Sequence, residues 1–322
     1  MNIYQNSQVF KKLLIFIIGI SLVTACDSIQ ADEKSITKDK ILIGDNYGEL
    51  YNQGKLRNYY FYTPKSYNLD SPMPLVLVFH GDDGNGRSIS NVTRFNELAE
   101  QKGFIVVYPD GIDQKWSLRG NAQGRVDDVL FVSALINHLQ QQLNIDSHKV
   151  YATGFSRGGI LTQALACKLP DKIAGFASVA GSLPVRLKPN CQHQTPISML
   201  TINGTNDRDV LYEGDDRTQR GALVSISDMV EFWRCLTTSR FASTHDRCTL
   251  SNQSPNFSED KVKTAIYTGC SGDSEVWQLA VVNGGHFWPG GSSTDESLNK
   301  FNAKLGLNAS ETIWDFFQHH SS

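Results

Sequence analysis

The stretch Tyr151-Ala152-Thr153-Gly154-Phe155-Ser156-Arg157-Gly158-Gly159 decides how the rest of the chain is read. It holds a G-x-S-x-G pattern centred on Ser156. Lys149 to Thr153, before it, is β-branched and aromatic and predicts a strand. Ile160 to Lys168, after it, is apolar and alanine-rich and predicts a helix. A serine between strand and helix can sit on a sharp turn with its hydroxyl raised above a sheet. Gly154 and Gly158 carry no Cβ, so backbone can pass closely on both sides. The amide of Arg157 then points to where an oxyanion would form. Read more plainly, the same letters are a strand-to-helix turn with an incidental serine. The surrounding chain has to decide between the two.

Outward from this turn, strands and helices alternate. Ile41 to Tyr47 and Leu56 to Thr63 predict strands, and Leu75 to Phe79 is a continuous apolar run suited to a strand buried on both faces. Then come a helix over Val92 to Gln101, a strand over Phe104 to Tyr108 and a long helix over Val126 to Leu143 opened by Asp127 and Asp128. Beyond Ser156 the pattern predicts strands at Gly175 to Ala180, Ile197 to Asn203 and Val276 to Val282. It predicts helices at Leu223 to Cys235 and Ser310 to Gln318. Residues from about 236 to 261 lack periodicity and read as an excursion near the site. Alternation of this kind predicts an α/β fold, a mostly parallel sheet with helices on both faces.

A nucleophilic serine needs a base, and the base needs an orienting carboxylate. In α/β-hydrolases, whose serine turn this pattern resembles, the chain order is serine, acid, histidine, and open α/β sheets place their sites in loops at the carboxyl ends of strands. His286 fits, in Asn283-Gly284-Gly285-His286-Phe287-Trp288-Pro289-Gly290-Gly291 directly after the last predicted strand. His193 precedes the strand that should carry the acid, His245 lies in the irregular stretch, and His319 and His320 end the chain. The acid should follow Ile197 to Asn203, where Asp207 and Asp209 both qualify by position. The second oxyanion donor should come from Phe79-His80-Gly81-Asp82-Asp83-Gly84, with the amide of Asp82 as the expected donor. His80 reads as a structural hydrogen-bonding group rather than a second base, because the order excludes it.

These pieces together resemble the secreted esterase family of polyhydroxybutyrate depolymerases and feruloyl esterases, which has the α/β-hydrolase fold. The matching motifs are Val78-Phe79-His80-Gly81, Tyr108-Pro109-Asp110-Gly111 with Trp116 after it, Val126-Asp127-Asp128-Val129 and Thr153-Gly154-Phe155-Ser156. Ala180-Gly181-Ser182-Leu183-Pro184, Asn203-Gly204-Thr205-Asn206-Asp207 and Gly284 to Gly291 complete the set, in the family's order. The resemblance implies Ser156 as nucleophile, His286 as base and Asp207 as acid. It implies hydrolysis of carboxylic esters, small or polymeric, without a cofactor. The chain departs from the family at Arg157 and Asn203, where asparagine and histidine are frequent, and in placing Asp82 and Asp83 in the oxyanion loop. Those departures bear on substrate more than on chemistry. Trp116 and Trp288 flank the expected site in sequence and read either as core filling or as an apolar wall for substrate. The Arg157 side chain is a candidate cation at the entrance. The expected substrates are short-chain or aromatic acyl esters, since no long apolar lid segment is visible.

The amino terminus carries Lys11 and Lys12, the apolar run Leu13 to Val23, then Leu22-Val23-Thr24-Ala25-Cys26. That resembles a bacterial lipoprotein signal, with residues 1–25 removed and Cys26 lipidated; the alternative is an ordinary secretory peptide cleaved nearby, and either reading exports the protein. Residues 26–40 are polar and suit a flexible tether, leaving 41–322 as the catalytic domain. Any membrane contact then runs through the lipid anchor only. Five further cysteines remain: Cys167, Cys191, Cys235, Cys248 and Cys270. In an exported protein some should pair. The family resemblance implies Cys167 with Cys191 and Cys235 with Cys270, leaving Cys248 over; Cys235 with Cys248 is a shorter alternative. The spacings match no zinc module, so no metal is expected. With 322 residues and a net charge of −3, the chain has no basic run and gives no footprint for a nucleic-acid partner.

Overall fold

The computed structural model describes residues 43–118, 126–191, 195–216, 221–236, 248–251, 257, 260–270 and 273–320. The chain separates into Met1–Ser35 and Ile36–Ser322, and the description concerns the second unit. The expected signal peptide, Cys26 and the tether lie outside the described residues. Among the described residues no helix is long and apolar enough to cross a membrane.

Ten strands form one sheet: β1 (Gly44–Asn52), β2 (Lys55–Thr63), β3 (Met73–Phe79), β4 (Ile105–Pro109), β5 (Ile145–Phe155), β6 (Gly175–Val179), β7 (Met199–Gly204), β8 (Thr249–Leu250), β9 (Val262–Thr268) and β10 (Val276–Val281). Their order is β1-β2-β4-β3-β5-β6-β7-β10-β9-β8. The block from β4 to β10 is parallel throughout, and antiparallel strands close it on each side. The β1–β2 hairpin turns at Gln53 and Gly54, both with positive φ, which matches the right-handed strand twist.

The continuous apolar runs of β3 to β7 are buried on both faces, as parallel strands between helical layers must be. Along β3 the side chains alternate between the layers. Leu75, Leu77 and Phe79 pack with α3 (Asp128–Gln142), α4 (Arg157–Lys168) and α5 (Ile226–Leu236). Val76 and Val78 pack with α1 (Gly86–Thr93), α2 (Phe95–Lys102), α6 (Glu296–Leu305) and α7 (Ala309–Gln318). The α/β layering predicted from the alternation, a mostly parallel sheet with helices on both faces, is present.

Three expectations are corrected. The single helix predicted over Val92 to Gln101 is two helices, because Arg94 takes a left-handed conformation that ends α1 and restarts the chain as α2. β9 and α6 were not predicted. β9 is only partly buried and alternates weakly, and α6 has a single fully buried side chain, Leu305, so neither carries a strong apolar period.

Among the described residues two disulfides are formed. Cys167–Cys191 ties the end of α4 to the segment before β7, as the family resemblance implied. Closing a loop with a sequence separation of 24 removes unfolded-chain entropy of about 3 kcal/mol. The second disulfide is Cys248–Cys270, not Cys235–Cys270 or Cys235–Cys248. Cys248 leads into β8 and Cys270 follows β9, so the antiparallel pairing of these two strands brings the sulfurs together. Cys235 instead lies in α5.

Candidate active site

Ser156 stands between the last residue of β5 and the first of α4 with φ 55° and ψ −117°. This is a strained conformation for a residue with a Cβ, held by tertiary structure rather than by local preference. The Ser156 amide donates to the Val179 carbonyl of β6 at 2.9 Å, and its carbonyl accepts from the Ile160 amide of α4 at 3.0 Å. Glycine is required next to it. A Cβ on Gly158 would stand 2.2 Å from the Phe79 carbonyl oxygen, so α4 can start this close to β3 only without a side chain.

The three residues singled out from the sequence come together. The Ser156 hydroxyl donates to His286 Nε2 at 2.8 Å, and His286 Nδ1–H donates to Asp207 Oδ2 at 2.7 Å. Asp207 is buried, and its other oxygen accepts the amides of Asp209 and Val210 at 2.8 and 2.9 Å. Asp207, rather than Asp209, therefore meets the histidine. Asp209 is exposed and contributes its backbone to the turn that fixes Asp207. Carboxylate oxygens of both aspartates and a His286 nitrogen lie within 4.8 Å of one another, but the Asp207 and His286 atoms are engaged with each other. The acid and histidine loops also pack directly: a Cβ on Gly204 would stand 2.3 Å from the Gly284 carbonyl oxygen. Beside the histidine, a Cβ on Gly285 would meet nothing within 4 Å, so the approach is open there.

The loop after β3 lies against the serine. A Cβ on Gly81 would stand 3.2 Å from the Ser156 Cβ, which puts the backbone leading into Asp82 beside the hydroxyl. His80 shapes this loop. Its Nε2 accepts the Gly111 amide at 2.9 Å, so Nδ1 carries the proton and donates to the Gly81 carbonyl at 2.7 Å. Burial lowers its pKa further from the ordinary value, and the ring stays neutral. His80 is thus a structural group, as its position in the sequence suggested.

The tryptophans do not form a wall for substrate. Trp116 is 1% exposed, packs its ring at a tilt against His80 and donates its indole N–H to the His80 carbonyl at 2.8 Å. Trp288 is 3% exposed, packs against Phe95 and donates to Ser310 Oγ at 3.1 Å. Each indole uses its polar edge to satisfy a neighbour inside the core, which is the core-filling alternative. The Arg157 guanidinium is held by the Trp116 carbonyl at 3.2 and 3.3 Å. Its charge therefore also braces the loop that carries Trp116. One site residue escaped the sequence reading. Phe155, the unassigned letter of G-x-S-x-G, lays its ring 4.9 Å from the His286 imidazole. The only available signal was an aromatic residue next to the nucleophile.

The strand order, and a site assembled from loops at the carboxyl ends of β3, β5, β7 and β10, define an α/β-hydrolase. Comparison with known proteins narrows the class. Residues 57–185 match the family described as Esterase PHB depolymerase. The chain is 30% identical over 270 residues to "Putative esterase NocK" of Nocardia uniformis subsp. tsuyamanensis, covering 76% of this chain and 74% of that protein. It is 34% identical over 165 residues to the bifunctional acetylxylan esterase/xylanase XynS20E of Neocallimastix patriciarum, and 28% identical over 165 residues to feruloyl esterase D of Neurospora crassa. Those matches cover 49% and 48% of this chain, and span 22% and 54% of the two fungal proteins. Among solved structures, the acetyl xylan esterase from Aspergillus awamori superposes with a TM-score of 0.55 at 15% identity, over 80% of this chain and 99% of that one. The chain belongs to the esterase family of PHB depolymerases and feruloyl esterases.

Proposed function

We propose that the chain is an exported serine esterase that hydrolyses short-chain or aromatic carboxylic esters. The observation that carries this reading is the unbroken series Ser156–His286–Asp207, at 2.8 and 2.7 Å, on the turn that opens α4. Ser156 Oγ attacks the ester carbonyl while His286 Nε2 takes its proton. Asp207 holds the imidazole in the tautomer with Nδ1 protonated. The amides of Arg157 and Asp82 receive the oxyanion. His286 returns the proton to the leaving alcohol, and a water assisted by the same nitrogen then releases the acid.

The substrate class is supported by the open approach at Gly285 and by relatives whose names include acetylxylan and feruloyl esters. The expected result is turnover of p-nitrophenyl acetate or butyrate, methyl ferulate or a hydroxybutyrate trimer in preference to p-nitrophenyl palmitate. Preference for the palmitate over every short or aromatic ester would overturn the substrate class.

Export is supported by the two disulfides, which persist in oxidising compartments, and by the apolar run before Cys26. Cys26 then carries lipid, and metabolic labelling with a palmitate analogue is expected to mark the wild type but not Cys26→Ala. Mature protein with an unmodified Cys26 thiol would refute the anchor.

A further inference from the structure

We propose that Phe155 tunes the base: the face of its ring stabilises the imidazolium that forms when His286 takes the serine proton. The proposal rests on the reading of Ser156, His286 and Asp207 given above. Phe155 is the last residue of β5, and its backbone leads directly into the strained serine. Its ring centroid lies 4.9 Å from that of His286, with the planes 40° apart. On its other side, ring carbon Cδ1 lies 3.4 Å from the place where a Cβ on Gly81 would stand. The side chain is therefore wedged, half-buried, between the oxyanion loop and the base.

An aliphatic side chain could fill this volume. A phenyl ring adds a charge distribution: its face is negative and attracts a cation within about 6 Å of the centroid. The attraction to an uncharged imidazole is small. During acylation the Ser156 O–H bond breaks and its proton passes to Nε2, while the Oγ–carbon bond forms. His286 is a cation until that proton moves on to the leaving alkoxide oxygen. An interaction made only in that interval lowers the barrier rather than tightening substrate binding.

The charged groups on the elements around His286 are Asp207, Arg208 and Asp209 after β7, Asp82 and Asp83 after β3, and Arg157 at the start of α4. Asp207 meets the edge of the imidazole at Nδ1, whereas Phe155 lies ring against ring. Changing Phe155 leaves these charges in place, which isolates its contribution.

The test is the pH profile of kcat/KM on a short p-nitrophenyl ester. Wild type is compared with Phe155→Leu, Phe155→Tyr and a protein carrying pentafluorophenylalanine at 155, whose ring keeps its shape while its face changes sign. The leucine and fluorinated proteins should show a plateau lower by about 3- to 20-fold, with KM little changed. Their acid limb should also move down by roughly half to one pH unit, because a less stabilised imidazolium loses its proton more readily. The two changes have opposite consequences at low pH, a signature that loosened packing does not produce. Phe155→Tyr should restore both. If Phe155→Leu fails to fold, judged by thermal melting, the fluorinated protein decides. A lowered plateau with an unmoved acid limb would overturn the proposal, as would a fluorinated protein indistinguishable from wild type. Failure of the underlying serine reading shows itself separately, as turnover that survives Ser156→Ala with Phe155 intact.

Discussion

Replacing Ser156 by alanine is expected to lower ester turnover by about three to six orders of magnitude while the protein still folds. The loss is large because, in the proposed mechanism, the hydroxyl oxygen is the atom that bonds to substrate. Folding survives because the substitution removes one oxygen, and that oxygen's partner among the described residues is His286 Nε2. The backbone strain at φ 55° is the same for alanine as for serine and is held by the bonds to Val179 and Ile160. The acid gives a graded version of the same experiment. Asp207→Asn offers the histidine an amide in place of a carboxylate and favours the wrong tautomer, which costs about four orders of magnitude in the best-studied case of this chemistry. Asp209→Asn leaves intact the backbone amide that Asp207 uses, so its activity should stay close to wild type. A Ser156→Ala protein with most of its activity would end the proposed mechanism, and a crippling Asp209→Asn would reassign the acid.

The second large effect is on stability and lies beneath the site. Arg57 of β2 and Asp128 of α3 form an ion pair at 2.7 Å, each side chain 1% exposed. The guanidinium also donates to the Asp110 carbonyl at 3.0 Å and lies 3.6 Å from the centroid of the Phe131 ring. Asp128 accepts the Ser117 amide at 2.5 Å. Burial pushes the Asp128 carboxyl above its usual range, and the Arg57 charge pulls against that. Removing one partner leaves the other desolvated and uncompensated, so Arg57→Met or Asp128→Leu should each cost about 3–5 kcal/mol in urea unfolding. Replacing both with apolar residues of similar size should recover much of the loss, since the pair's own desolvation penalty disappears with it. Single variants within about 1 kcal/mol of wild type would refute this. The same pair holds Asp110 and Ser117, the two ends of the loop that carries Trp116. Through Trp116 and His80 it supports the oxyanion loop.

The sequence was most legible where one physical requirement dominates. A parallel strand buried on both faces has to be a continuous apolar run, and β3 is one. The serine, aspartate and histidine sit at strand ends because that is where backbone leaves the sheet, and each follows its predicted strand within a few residues. The failures share a cause as well. Trp116 and Trp288 stand near the site in sequence, yet nearness along the chain does not tell which way an indole points. Both turn inward because their N–H groups find acceptors there. The second disulfide depended on β9, a partly buried strand with little apolar period, so the partner of Cys270 could not be read before that strand was known. Arg94 breaks a helix by its backbone conformation alone, and an arginine gives no advance sign of that.

His286 is 130 residues from Ser156 and 79 from Asp207 along the chain. Their strands lie in the order β5-β6-β7-β10, each joined in parallel to the next. Parallel neighbours need a crossover before they can pair, and contacts between distant residues repay their loop-closure entropy only late in folding. Helices such as α3 and α4 can acquire structure from local contacts, but the reactive hydroxyl has no base until β10 docks on β7. In a refolding experiment, ester turnover should therefore return after the helical signal, as one of the last properties the chain regains. A chain not yet folded carries Ser156 with no base beside it.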